Sequence, residues 1–267
     1  MNYFAQKKAV VTGAGDGMGR QLAIQLNRVG CELWLCDINE EKLAETLTLM
    51  DTDGTNCHTA CVDMGDKAAV YLWAERISQQ TDSLDLVVNN AGVAYSAMFE
   101  DSTDQNFEWL MNINFWGVVW SSRAFLPLLK RAKTGHLVNL SSVFGMIGIP
   151  TQSAYNAAKF AVRGFSEALQ AEHLNDNLKV SCVHPGGVST NIARAARSAG
   201  SETADERDSQ FQALTRTSAA QAATIILKGA AAGRRRILVG SDAWLVAILV
   251  KFFPTSYHRF IPKILDE

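Results

Sequence analysis

Short apolar runs alternate with longer stretches of helical period along most of the chain, and that alternation restricts the fold more than any other feature. K-A-V-V-T precedes a helix expected over about 17 to 29, C-E-L-W-L-C-D one near 39 to 50, and N-C-H-T-A-C-V one near 66 to 81. L-D-L-V-V-N-N then leads into helical sequence from about 103 to 132, G-H-L-V-N-L-S into a helix near 152 to 175, and L-K-V-S-C-V-H into a region over 189 to 232, with a last strand at R-I-L-V-G. Strands that are apolar almost end to end must be covered on both faces, and strands joined through helices pair in parallel. The expected fold class is therefore α/β, a doubly wound parallel sheet of about seven strands with helices on both faces. Neither a repeat of fixed period nor a Pro/Gly-rich linker divides the 267 residues. One domain over 1–267 is expected, closing with a last strand and an apolar tail over 236–267.

Composition narrows the partners. With 48% hydrophobic and 19% charged residues and a formal net charge of -2, the chain is of ordinary globular type and has no electrostatic footprint for nucleic acid. Its basic run, Arg234 to Arg236, reads as a solvated turn before a strand. Five cysteines at 31, 36, 57, 61 and 182 lack paired spacing, which suits a reducing compartment. Cys57 and Cys61, four apart on an expected strand, would stand about 13 Å from each other, so no metal site is expected. The opening M-N-Y-F-A-Q-K-K has no long apolar run, and the cytoplasm is the expected location.

Two motifs carry chemistry. V-V-T-G-A-G-D-G-M-G-R follows the first expected strand and opens the first helix, the context in which a glycine turn lets a pyrophosphate approach backbone N–H groups at a helix N-terminus. The glycines at 13, 17 and 19 are spaced T-G-x-x-x-G-x-G. Asp37 closes the second strand 18 residues after Gly19, where a carboxylate can accept from an adenosine ribose and repel a 2′-phosphate. Its alternative role is a helix cap, which Asn39 could fill instead. No Arg or Lys stands at 15 to 18 or 38 to 39, which favours NAD over NADP. In S-A-Y-N-A-A-K-F, Tyr155 and Lys159 share a helix face. A phenol that trades protons near neutral pH needs such a neighbour, because its ordinary pKa is about 10. The same spacing also arises in surface helices with no chemistry.

Placed beside N-N-A-G at 89 to 92, N-I-N-F-W-G at 112 to 117, L-S-S at 140 to 142 and H-P-G-G-V-S-T at 184 to 190, these motifs give a chain that resembles the short-chain dehydrogenase/reductase family from about residue 7 to 240. The resemblance implies a Rossmann-like fold and a catalytic set of Asn114, Ser142, Tyr155 and Lys159. Ser142 is chosen over Ser141 by the family spacing of 13 residues before the tyrosine. Asn114 is expected to act through its backbone carbonyl at a local helix disruption, on the Lys159 side. The implied cofactor contacts are Gly13, Asp16, Gly17, Met18 and Gly19 at the turn, Asp37 and Ile38 after the second strand, and Asp63 and Met64 after the third. Asn90, Ala91 and Gly92 follow at the adenosine ribose, Tyr155 and Lys159 at the nicotinamide ribose, and Pro185, Gly186, Val188 and Thr190 at the nicotinamide. Met18 stands where isoleucine is frequent, a near volume-conserving swap, and Asp16 adds an acid that again disfavours NADP. Hydride would pass between a substrate carbon and the nicotinamide while Tyr155 moves the proton and Ser142 steadies the oxygen. Lys159 would hold the ribose and lower the Tyr155 pKa.

The implied reaction interconverts a secondary alcohol and a ketone. The segments after the fourth and fifth strands read as apolar walls, with Val93, Tyr95, Met98 and Phe99, then Val143, Phe144, Met146, Ile147, Ile149 and Pro150, and no Arg or Lys in either run. A charged substrate would be left unpaired there, so a neutral lipophilic small molecule is expected. The alternatives are an NADP-linked keto or 3-oxoacyl reductase and an acetoin or diol dehydrogenase. Resemblance also implies a homodimer or homotetramer built on helices near 107–131 and 152–174. The polar segment 193–216, weakly periodic, reads as either a mobile lid or a plain surface excursion. The tail D-A-W-L-V-A-I-L-V-K-F-F-P-T-S-Y-H-R-F-I-P-K-I-L is too short to span a bilayer. Internal packing is favoured for it over peripheral membrane contact through Lys251, His258, Arg259 and Lys263.

Overall fold

A computed structural model describes residues 2–50, 56–200 and 203–260. Seven parallel strands form its sheet: β1 (Lys8–Thr12), β2 (Glu32–Asp37), β3 (Cys57–Cys61), β4 (Leu86–Asn89), β5 (Gly135–Leu140), β6 (Leu178–Pro185) and β7 (Arg236–Val239). Their order across the sheet is β7-β6-β5-β4-β1-β2-β3. The direction of winding reverses between β1 and β4, where Val11 pairs with Val88. In such sheets the crevice beyond the strand C-termini at the reversal is where ligands bind. Thr12, Asp37, Asn89, Leu140 and Pro185 all end there.

Strand alternation builds the two layers. In β1, Ala9 and Val11 pack with Leu22, Leu26 and Ile226, whereas Val10 packs with Val70, Trp73 and Phe125 on the other face. β2 repeats this, with Leu33 and Leu35 on one side and Trp34 and Cys36 on the other. Helices α1 (Gly17–Asn27) and α8 (Ala219–Ala231) cover the first face. Helix α3 (Lys67–Ser78) and the long α5 (Gly117–Arg131) cover the second, and α2 (Glu40–Thr48) lies against β2. The periodic segments expected from sequence lie within two or three residues of these helices.

Two stretches depart from expectation. The expected helix over 103–132 is interrupted: α4 (Asp104–Met111) passes through a single π turn at Asn112–Trp116 before α5. Segment 193–216 contains the helix α7 (Ala204–Leu214), held at its start by a capping box between Thr203 and Glu206. The T-A-D-E signature for that box stands in the sequence. It was masked by the weak apolar period of the helix, which touches the body of the protein mainly through polar groups. Ser201 and Glu202, within the same segment, lie outside the described residues.

The tail begins with α9 (Ser241–Phe252). Ala243 and Val246 pack on Val143, Met146 and Ile147 in the loop between β5 and α6 (Ser153–Glu172). The Gly148 amide donates to the Tyr257 hydroxyl at 3.0 Å. The inner face of the tail is thus packed internally, as favoured. Lys263 lies outside the described residues, and no described helix is long and apolar enough to cross a membrane.

Candidate active site

The glycine turn is closed against backbone. Gly13 has φ +65, and a Cβ there would sit 2.8 Å from Ala91 Cα. At Gly19 a Cβ would collide with the Gly13 carbonyl. Asn90 fastens the turn from β4, its side-chain amide donating to the Thr12 and Gly13 carbonyls at 3.0 Å each. The Asn90 side chain is therefore spent on the turn. Asp37 accepts from the Gly15 amide at 2.9 Å and from the Asn39 amide at 3.0 Å, while Asn39 itself caps α2. The cap of α2 therefore falls to Asn39, and Asp37 instead ties the glycine turn to the start of that cap.

Asp16 caps α1 and accepts from Gly17 N, Lys42 Nζ and Asn191 Nδ2. Partial burial works against its charge, but the hydrogen bonds from Asn191, Lys42 and Gly17 outweigh it and hold the carboxyl below its ordinary range. Lys42 corrects the sequence argument that no cation stands near the adenosine carboxylate. It lines the same cavity as Asp37 and Ile38, five residues beyond Asp37 and in the first turn of α2. Gly13, Gly17, Met18, Asn90, Ala91, Gly92 and Thr190 also line that cavity. Asp63 is exposed and accepts from Gly65 N at 2.7 Å. The Met64 side chain is buried in the core under Gly117, so only its backbone remains for a ligand.

This crevice fits an adenine dinucleotide. Its walls approach so closely at Gly13, Gly15 and Gly19 that a Cβ would strike backbone or the Asp37 carboxylate, a cradle left free of side chains beside the start of α1.

The proton-handling residues meet where β5, β6 and α6 converge. Tyr155 and Ser142 line the same cavity, and Ser142 Oγ accepts from Phe144 N at 3.1 Å. Ser141 is turned away, its hydroxyl donating to the Lys159 carbonyl at 2.8 Å, which leaves Ser142 as the serine facing the cavity with Tyr155. Lys159 is buried, with Nζ 3.1 Å from the Leu140 carbonyl and 5.4 Å from the Tyr155 ring centre. Asn114 lies in the π turn, and its amide exchanges two 2.8 Å hydrogen bonds with the backbone of Val93. A Cβ on Gly92 would stand 3.2 Å from Asn114 Oδ1 and 3.5 Å from Lys159 Nζ, so Gly92 sits between these two groups.

Electrostatics here differ from expectation. Burial pushes the Tyr155 phenol up to about 12, against the opposing hydrogen bond from Ser142. Burial also pulls the Lys159 ammonium down to about 8. The expected lowering of the phenol by Lys159 is not what the protein alone displays, because the same apolar surroundings disfavour charge on both groups.

A second cavity, of about 370 Å³, opens from Ser142, Tyr155 and Lys159 and shares Met18, Gly92, Thr190 and Ile192 with the dinucleotide crevice. Pro185, Gly186 and Val188 line it. Of the predicted apolar walls only Tyr95 and Phe144 reach it. Val143, Met146 and Ile147 are instead packed beneath α9, and Met98 and Phe99 are exposed. Ile192, Ala193, Ala196 and Phe211 provide the apolar wall, with Gln152 and Arg207 as polar positions. The Arg207 guanidinium also donates to the Ala196 carbonyl at 3.2 Å.

Sequence reasoning missed Asp242. From the first turn of α9 it accepts from the Gly187 amide, and a Cβ on Gly186 would strike its carboxylate. No local motif announces such a residue. The link exists only because the tail folds back on the loop after β6.

The chain matches the family profile described as short chain dehydrogenase over residues 7–200. It is 40% identical over 269 aligned residues to a protein named oxidoreductase SadH from Mycobacterium tuberculosis, covering 98% of this chain and 96% of that one. It is 34% identical to dehydrogenase/reductase SDR family member 7B from Rattus norvegicus, over 72% of this chain and 61% of that protein. A short-chain dehydrogenase/reductase from Burkholderia phymatum, solved in complex with NAD, superposes with a TM-score of 0.85 at 28% identity, covering 94% of this chain and 95% of that one.

Proposed function

The chain belongs to the short-chain dehydrogenase/reductase family and is an NAD(P)-dependent oxidoreductase; on that premise we propose that it interconverts a neutral, largely hydrocarbon secondary alcohol and its ketone, with NAD as the preferred cofactor. The observation that carries this reading is the meeting of Ser142, Tyr155 and buried Lys159 on the wall of one apolar cavity, at the mouth it shares with the dinucleotide crevice. Bound there, the nicotinamide supplies or accepts the hydride.

The protein's own residues do the rest. Tyr155 hands a proton to the ketone oxygen in reduction and takes one from the alcohol in oxidation. With its phenol at about 12, Tyr155 stands protonated at neutral pH, ready as a donor. Ser142 hydrogen-bonds the same oxygen and stabilises charge developing on it. Lys159 faces the nicotinamide ribose, and the buried Asn114 would act behind it, through its backbone carbonyl in the π turn. The glycine turn takes the pyrophosphate, and Asp37 takes the adenosine ribose, with Ile38, Asp63 and the Met64 backbone around the base. We further propose that the chain works as one dinucleotide-binding and catalytic domain in the cytoplasm. It would assemble as a homodimer or homotetramer through α5 with the π turn before it and through α6; Trp116 in that turn and Phe160 on α6 are both exposed.

The test is a screen of secondary alcohols and ketones with NAD(H) and NADP(H), followed by a series of 2-alkanols. An apolar cavity should raise kcat/KM with chain length, by up to roughly 0.8 kcal/mol per methylene. A flat series with small diols preferred would reject the lipophilic substrate. Lys42 favours a second reading, an NADP-linked keto reductase, because its ammonium lines the adenosine cavity. Paired titrations decide between them: Asp37→Ala should narrow the NAD preference by about tenfold, the effect of roughly one removed repulsion. If the native chain binds NADP more tightly than NAD, the second reading stands.

A further inference from the structure

Helix α9 is apolar on two opposite sides, and only one of them has a partner within the described residues. At about 3.6 residues per turn, Ala243, Val246, Ala247 and Val250 fall together and make the packed side, against the loop that follows Ser142. Trp244, Leu245, Ile248 and Phe252 fall on the opposite side and are 58%, 52%, 51% and 66% exposed. Phe253 continues this surface, and Phe260 packs on it with ring centres 5.2 Å apart. An apolar strip of this kind on a soluble face marks a contact site.

Its charge says which kind. Lys251 lies one turn from Ile248 on the same side and holds its ammonium 5.7 Å from the Phe252 ring centre. His258 and Arg259 are exposed in the turn whose Phe260 meets Phe253. Neither Lys251 nor Arg259 has an ion-pair partner among the described residues, and no Asp or Glu occurs between Ala243 and Phe260. Aromatic and aliphatic side chains flanked by unpaired cations, on a helix only about 18 Å long, suit a surface that lies in a headgroup layer without crossing it.

We propose that the outer face of α9, with the turn at Tyr257–Arg259, docks on an anionic lipid surface. Docking would bear directly on the substrate cavity, since α9 holds Gly187 through Asp242 and the tail holds Gly148 through Tyr257. The lipid surface stands independently of the reaction proposed above, because it is read without turnover.

The experiment is co-sedimentation of the full chain with vesicles of phosphatidylcholine alone or mixed with phosphatidylglycerol, at low and high salt. The expected result is binding to the mixed vesicles that weakens about tenfold or more with phosphatidylcholine alone and with salt, as polybasic contacts do. Trp244→Ser with Phe252→Ser should lower it by a similar factor, and Lys251→Glu with Arg259→Glu should erase the preference for phosphatidylglycerol. All four side chains face solvent, and an unchanged thermal midpoint verifies that each variant is folded. Failure to bind either vesicle, or binding untouched by both variants, would overturn the proposal. So would an association of two copies, seen by analytical ultracentrifugation, that is broken by Trp244→Ser with Phe252→Ser while vesicles are ignored.

Discussion

On the cofactor side of Tyr155, glycines are closed against backbone: Gly13 on Ala91, Gly19 on the Gly13 carbonyl, with the Asn90 amide pinning the turn. On the substrate side, side chains from the tail hold the loops, Asp242 at Gly187 and Tyr257 at Gly148. The difference is one of tolerance. A backbone-to-backbone fit leaves no room for any side chain, so it persists as a readable motif. A side-chain clamp asks only that some residue of suitable reach arrive, and it can be rebuilt from other sequences to suit another substrate.

Tyr155 lies on the seam and offers the sharpest cut between the halves. Tyr155→Phe is expected to lower turnover by about 10²- to 10⁴-fold while dinucleotide affinity, followed by nicotinamide fluorescence, stays within a few-fold. Affinity falling as far as rate would mean that the phenol belongs to the cofactor side. Acid should strike the substrate half next. His136 on β5 and His184 on β6 are buried, and burial pulls each down to about 4. The unfolded chain protonates these rings below about 6.5 and the folded chain only near 4, so stability is lost as pH falls through that window, by up to roughly 3 kcal/mol for each ring. Urea midpoints between pH 7 and pH 4.5 should fall, and hydrogen exchange should rise first in β5 and β6. A flat profile would show that the rings are solvated.

Smaller effects probe each half separately. Gly19→Ala should destabilise the chain by about 1–3 kcal/mol, the usual range for overpacking, and weaken dinucleotide binding with it; a neutral thermal midpoint would remove rigid backbone closure from the comparison. Tyr257→Phe should be the mildest, about 0.5–1.5 kcal/mol for one hydrogen bond, appearing as a raised KM for the longest alkanols at unchanged kcat. An effect equal to that of Gly19→Ala would make the tail as intolerant as the turn.

How much was legible follows the same division. The apolar period located the inner strands because they are buried on both faces and must be apolar along their length, whereas the edge strand β3, Cys57–Cys61, is largely exposed and was located by its place in the alternation of strands and helices. The glycine turn, Ser142, Tyr155 and Lys159 were legible as spacings along strands and helices whose geometry is regular. Asn114 entered only through the resemblance to the family, which anticipated the π turn that carries it as a local disruption. The apolar walls were assigned wrongly in large part: Met146 and Ile147 have the composition of a pocket, yet they pack under α9. Arg207 and Phe211 were missed because α7 has almost no apolar period of its own.

The sequence by itself determined the sheet, the turn that receives a dinucleotide, and the spacing that brings phenol, hydroxyl and ammonium to one strand edge. These depend on backbone dihedrals and on neighbours within a helix turn or a strand, which residue order specifies directly. Only the tertiary structure decided that Lys42 joins Asp16, that Asp242 grips the loop after β6, and that α9 turns one apolar side inward and leaves the other in solvent. Those outcomes rest on the docking of surfaces from segments up to about a hundred residues apart, where the energy comes from burial and shape, and neither is written in the local order of residues.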